Sequence, residues 1–228
     1  MTEAKPYRGI LTGFNDAFLI SSEIRKQLIQ DDPKCTELIK PYLRGRDINR
    51  WTYQLQDEWI ILIQSSANQT HEWSNCEDVS SAEEAFSKAF PSIYRHMKPF
   101  EQRLIKRRDQ GNYRWELRAC AYYGEFEKDK IVYQVIQFWP QYALDEHGSY
   151  GNDKTYFLTT EDLYLLGLLN SPLMWWHNWR YFGHMKDEAL NPANFKMENL
   201  PIAPPTDEIR AEFEPAVQRL IEFTKANQ

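Results

Sequence analysis

Segments of alternating apolar residues gather in the first two-thirds of this chain, and segments with helical spacing dominate its end. A run of strands followed by a run of helices is the pattern of an α+β protein. The expectation is therefore mixed or antiparallel strands in the first two-thirds and a helical C-terminal part. At 228 residues the chain can form one large domain or two small ones around a sizeable core. Only nine glycines and 42% hydrophobic residues exclude disordered and collagen-like architectures.

Local signals divide the chain further. Residues 7–20 read as strand, turn, strand, and Ser21 or Ser22 can cap a short helix through Leu28, with Glu23 in its first turn. A second short helix is expected near Thr36–Leu43, followed by a turn at Gly45. Trp59–Ile63 suits a buried strand, and residues 65–81 form a polar loop. Two helices are expected at 82–89 and 91–108, because Pro91 and Pro99 must each start or break a helix. Lys130–Phe138 alternates as a strand, and Tyr142–Leu144 and Thr155–Leu158 flank a turn region as a hairpin. A long apolar helix is expected at 161–181, and Asp207 begins a terminal amphipathic helix.

Recognisable catalytic apparatus is absent from the sequence. Cys35, Cys76 and Cys120 are far apart and make no CxxC pair, which argues for reduced thiols rather than a disulfide framework or zinc site. The five histidines form no i,i+4 metal pair. There is no glycine-rich turn to hold a methionyl cofactor and no Asn/Asp-Pro-Pro-aromatic segment to grip a target amine; Pro204-Pro205 follows Ala203 instead. Asp129-Lys130 and Asp153-Lys154 are fragments of a nuclease pattern without a second acid at suitable spacing. No Gly-x-Ser-x-Gly elbow or phosphate loop occurs. The most apolar stretch, Leu163–Trp176, is interrupted by Asn170-Ser171-Pro172 and is too short to span a bilayer. The expectations are a non-catalytic, cytoplasmic chain with no membrane contact, no metal and no bound cofactor.

A net charge of −6 argues against a surface that is basic overall, so any nucleic-acid face must be local. Between Ser92 and Arg118, eight basic residues stand against three acids, beside Tyr113 and Trp115. Such a set could clamp phosphates and reach guanine edges. A helix C-terminus also favours Lys and Arg for its dipole alone. A second excess spans Lys34–Arg50, with Arg44-Gly45-Arg46 on a probable turn; Asp47 could simply pair with one of these arginines. Screening within about 10 Å lets such patches act despite the global charge. Aromatics make up 14% of the chain, with eight tryptophans, enough to serve either a ring-rich core or a stacking surface.

Six segments occur in a telling order: YRGILTGFNDAFLI, IKPYLRGRDINRW, FPSIYRHMKPFEQRLIKRRDQGNYRWELR, KIVYQVI, LLGLLNSPL and FKMENLPIAPP. Together, over about residues 7–205, they resemble the target-recognition domain of TaqI-like (Eco57I-like) adenine-N6 DNA methyltransferases and their type IIG restriction–modification relatives. The resemblance implies a specificity domain at 7–205 with a C-terminal amphipathic helix, 206–228, packed on it. It implies sequence-specific recognition of double-stranded DNA without catalysis. The partner would be an N-terminal methyltransferase domain or subunit, with or without a nuclease, which would hold S-adenosylmethionine. An alternative is a degenerate recognition domain serving as a protein-interaction module in phage defence.

By resemblance, Thr12 and Asn15 match a Thr-Gly-x-Asn segment near the DNA cleft, and Arg44 belongs to an Arg-Gly-x-Asp segment, with Arg46 beside it. Arg107, Arg108, Tyr113, Trp115 and Arg118 fall in the basic–aromatic segment, and Lys196 precedes Leu200-Pro201. These ten residues are the expected DNA-binding set. Ala193-Asn194-Phe195-Lys196 departs from the Arg- or Ser-containing turn usual there, and the DNA sequence that is read does not transfer by resemblance.

Overall fold

A computed structural model describes residues 5–227. In chain order the elements are β1 (Pro6–Arg8), α1 (Asn15–Phe18), β2 (Leu19–Ile20), α2 (Ser22–Asp31), β3 (Ile39–Leu43), β4 (Trp59–Ile61), α3 (Val79–Ala89), α4 (Pro91–Met97) and α5 (Glu101–Lys106). There follow β5 (Lys130–Gln134), β6 (Tyr142–Asp145), β7 (Tyr150–Gly151), β8 (Thr155–Leu158), α6 (Leu163–Leu169), α7 (Pro172–Tyr181), α8 (Asn194–Glu198) and α9 (Asp207–Ala226). The protein is α+β, and the pairs β1–β8, β2–β4, β3–β4, β5–β6 and β5–β8 are antiparallel. It divides into two compact units. A terminal unit takes the described parts of Met1–Gly9, Leu43–Gln56 and Gly124–Gln228, and an inserted unit takes Ile10–Tyr42 and Asp57–Tyr123.

The sheet of the terminal unit has the order β1-β8-β5-β6. Residues Tyr142–Leu144 and Thr155–Leu158 therefore do not form a hairpin with each other. Each pairs with β5, Tyr142 opposite Tyr133 on one side and Thr155 opposite Gln134 on the other. Period-two alternation reports which face of a strand is buried, not which neighbour it chooses. One side of this sheet packs on α6, α7 and α9 through Ile131, Tyr133, Leu158, Leu166, Met174, Val217 and Ile221. The long apolar helix expected at 161–181 is two helices. Ser171 caps the second with its hydroxyl on the Met174 N–H, and Pro172 occupies the first turn, where its missing N–H costs nothing. Asp162 caps α6 and also takes both guanidinium nitrogens of Arg210 at 3.0 and 3.1 Å, which ties α9 to α6.

In the inserted unit β4 lies between β2 and β3. Thr36–Leu43 is not a helix: a short 3-10 turn ends at Leu38 and Ile39–Leu43 is β3. Pro41 explains this, since it would remove a donor from a helix interior but can lie in a short strand. Asn15–Phe18 is likewise a single helical turn rather than a strand. Ser21 caps α2, Pro91 opens α4, and a 3-10 turn over Lys98–Phe100 restarts the chain as α5. The core here is ring-rich. Phe86 stacks on Trp115 at 5.1 Å and meets Trp73 edge-on at 5.1 Å.

The terminal unit buries an ion pair, Lys130 Nζ to Asp145 Oδ2 at 2.7 Å, with both side chains essentially inaccessible. Asp145 also accepts from Tyr53 Oη at 2.7 Å and from the backbone N–H groups of His147 and Ser149. Burial pushes the Asp145 carboxyl up, but Lys130, Tyr53 and the His147 N–H outweigh it and hold the group below its ordinary value. Its contribution to stability is thus complete above the ordinary carboxylate pKa and is lost as pH falls through the lower folded value. Asp145→Asn is expected to lower unfolding free energy by about 3–5 kcal/mol, because Lys130 would be left buried without its counter-charge. Urea midpoints followed from neutral pH downward would check this, and the loss below about pH 4 should be shallower in the variant.

Candidate nucleic-acid interface

The basic segment Ser92–Arg118 sorts into three groups once it is folded. Arg95 pairs with Asp31 at 3.3 Å, and Lys98 pairs with Glu83 and Glu101. Arg114 bonds the same two glutamates, and Arg118 pairs with Asp109 at 3.5 Å. Arg107 turns inward. Its guanidinium donates to the carbonyls of Thr12, Arg114 and Glu116 and lies over the Phe18 ring at 4.5 Å. Burial pushes its pKa down to about 10, which still leaves it charged at neutral pH. Arg103, Lys106 and Arg108 are exposed, and among the described residues they make no ion pair.

Those three cations cluster around the end of α5. Arg103 sits over the Phe14 ring at 4.4 Å. A recess of about 450 Å³ is lined by Gly13, Phe14, Gln102, Arg103, Lys106 and the stem of Arg107. Gly13 has φ +69°, and a Cβ there would meet the Arg107 stem at 2.9 Å, so glycine is required on both counts. Thr12 is buried and its hydroxyl donates to Asn15 Oδ1 at 2.6 Å, while Asn15 is exposed. Trp115 is buried, and half-buried Tyr113 stacks on it at 5.0 Å, forming the outer ring of the Phe86–Trp115–Tyr113 stack.

Glu116 organises the turn behind this surface. Its fully buried carboxylate accepts from the N–H groups of Ser66, Asn112 and Tyr113, the Ser66 hydroxyl and the Trp73 indole. It therefore binds the 65–74 loop to the 112–116 turn. Nothing in the sequence distinguished this glutamate from a surface acid.

The terminal unit carries a second group of cations. Arg46 is exposed and touches Asp47 at 4.0 Å, and Arg44 is half-buried beside it. Gly45 is held against the 152–154 turn. Its N–H donates to Asn152 Oδ1 at 3.2 Å, and a Cβ would lie 2.7 Å from the Lys154 carbonyl oxygen. Asn152 also accepts from the Lys154 N–H and the Thr155 hydroxyl, and its own N–H donates to the Leu43 carbonyl. Gly9 donates to the Thr155 carbonyl, which brings Arg8 alongside, bonded to Asp153. Arg8 and Lys154 thus share Asp153, while Arg46 meets Asp47 on the Gly45 loop that Asn152 holds. Lys196 is half-buried on α8; its amine bonds the Asn191 carbonyl at 3.0 Å and lies over Phe182 and Phe195.

The sequence model for the TaqI-like C-terminal specificity domain matches residues 40–202. The chain belongs to this family. Type II methyltransferase M.MjaIV of Methanocaldococcus jannaschii is 24% identical over 179 residues, covering 74% of this chain and 54% of that protein. The chain therefore spans about half the length of that relative. Among solved structures, the type IIL restriction–modification enzyme MmeI, determined in complex with DNA, superposes with a TM-score of 0.69 at 14% identity. That match covers 100% of this chain and 28% of MmeI, and at this identity the likeness is one of fold.

Within this specificity domain, the ten residues expected from sequence fall into unequal places. Asn15, Arg46, Arg108 and Arg118 are exposed, and Arg44, Tyr113 and Lys196 are half-buried. Thr12, Arg107 and Trp115 are interior. Sequence reasoning passed over Arg103 and Lys106, although their i,i+3 spacing puts them on one face of α5. It also passed over Arg8 and Lys154, which meet at Asp153 only through the fold. Arg107→Ala is expected to cost about 3 kcal/mol of stability by stranding buried carbonyls, and Arg108→Ala less than about 0.5 kcal/mol. Chemical denaturation of the two variants would separate them.

Proposed function

We propose that this chain reads duplex DNA for an adenine-N6 methyltransferase of a restriction–modification system and leaves the chemistry to another domain or subunit. The family match over most of the chain carries this reading. The distribution of charge supports it. On an acidic chain, Arg103, Lys106 and Arg108 stand exposed at the end of α5 in the inserted unit, and Arg8, Arg44, Arg46 and Lys154 lie on the loops joined at Asn152 in the terminal unit. Such clusters attract phosphates, and phosphate contacts set the register in which other side chains read base edges.

In this proposal residues 7–205 form the specificity domain, completed by the helix at 206–228. Arg103, Lys106 and Arg108 form a phosphate-binding surface of the inserted unit, and Arg8, Arg46 and Lys154 form one of the terminal unit. Asn15, Arg44, Tyr113, Arg118 and Lys196 border these surfaces, while Thr12, Arg107 and Trp115 support them from inside. S-adenosylmethionine and the target adenine belong to the methyltransferase partner, and the site of action is the cytoplasm. Among the described residues no helix is long and apolar enough to cross a membrane.

A random-sequence duplex titrated by fluorescence anisotropy should bind at low salt and dissociate steeply as salt rises. Arg103→Ala/Lys106→Ala/Arg108→Ala is expected to reduce the slope of log affinity against log salt by about 2–3. Absence of duplex binding at low salt, both alone and with the methyltransferase partner, would refute the reading.

A further inference from the structure

The connection between β5 and β6 exposes large apolar side chains that the fold does not use. Ile136 is 39% exposed, Phe138 49% and Trp139 57%. The two rings lie 6.2 Å apart, tilted at 42°. Gln137, between Ile136 and Phe138, is buried, and its backbone exchanges two hydrogen bonds with Leu190 at 2.9 and 2.8 Å. Gln134 and Gln141, at the feet of the connection, both donate side-chain N–H groups to the Ile48 carbonyl. The base of the loop is thus fixed while its tip presents two bare rings.

The foot of this connection is joined to the cationic loops. The Val135 N–H donates to the Lys154 carbonyl at 2.9 Å, the same oxygen against which Gly45 is packed, and Gly45 carries Arg44 and Arg46 on either side. Aromatic rings on a loop whose foot is bonded to a cation-bearing turn suit a ligand with flat apolar faces and a charged backbone. Nucleic acid has both, and apolar wedges that enter a base stack are a recurrent means of opening a duplex.

We infer that Phe138 and Trp139 form a wedge that stacks on the bases of duplex DNA where the stack is opened. The inference rests on the DNA-reading function proposed above and adds a role for residues outside the expected set. A base is unstacked at a cost of a few kcal/mol when it leaves the duplex, and a ring placed in the gap recovers part of that loss. The pre-fixed loop pays little ordering entropy in doing so.

The test compares two duplexes of the same random sequence, one intact and one with a single abasic site that leaves a gap in the stack. The full chain is expected to bind the gapped duplex about tenfold more tightly. Phe138→Ala/Trp139→Ala should abolish that preference while keeping binding to the intact duplex and its salt dependence, and Trp139→Phe should retain most of it. Circular dichroism should be unchanged, because both side chains are exposed. Equal affinity for the two duplexes, or a preference that survives the double substitution, would overturn the wedge but leave DNA reading intact. Failure to bind either duplex at low salt would instead strike at DNA reading itself.

Discussion

A single guanidinium, that of Arg107, sets the shape of the inserted unit's outer surface. It is a buried charge that makes no ion pair among the described residues, and it donates to three carbonyls, from Thr12, Arg114 and Glu116. Those carbonyls come from segments about a hundred residues apart in the chain, so the contact fixes a non-local arrangement. Removing the guanidinium would take a donor from all three oxygens, although the Glu116 carbonyl would keep the Gly111 N–H. Because Arg107 points inward, its neighbours Lys106 and Arg108 point outward, and the Gly13 turn is drawn over its stem. The free positive charge of this unit is thus arranged by one that is not free.

Glu116 complements this from the opposite direction. Its carbonyl accepts from Arg107, while its carboxylate collects donors from the 65–74 loop and the 112–116 turn. One residue therefore links the basic surface to the ring-rich core. The terminal unit solves the same problem with a paired charge, Lys130 and Asp145, whose extra lone pairs are filled by Tyr53 and by turn N–H groups. A buried pair of this kind fixes a loop geometry more than it adds stability.

Much of the fold was legible in the sequence where the signals are local. Ser21, Pro91, Pro99 and Asp207 mark helix starts that lie within a residue or two of the observed ones. Signals failed where a distant partner decides. Pairing of β8 with β5 depends on the sheet, and the alternation of Thr155–Leu158 is silent about it. The Lys106-Arg107-Arg108 triplet looks uniform as a string. Its middle residue is interior because it lies three positions after buried Leu104, and helical phase can be read only once the core face is known. The candidate surface was legible as a charge excess, but which cations are spent on Glu83, Glu101, Asp31 and Asp109 requires the folded chain.

The Asn152 turn has a further consequence. Leu43, Gly45, Lys154 and Thr155 are joined to it through main-chain atoms, the Asn152 amide and one hydroxyl. The side chains of Arg46, Phe138, Trp139 and Lys154 are not among the groups bonded to Asn152. Chemistry displayed at those positions can change without disturbing the frame beneath it. In such a molecule a new address is written on the loops, and the scaffold that presents it stays the same.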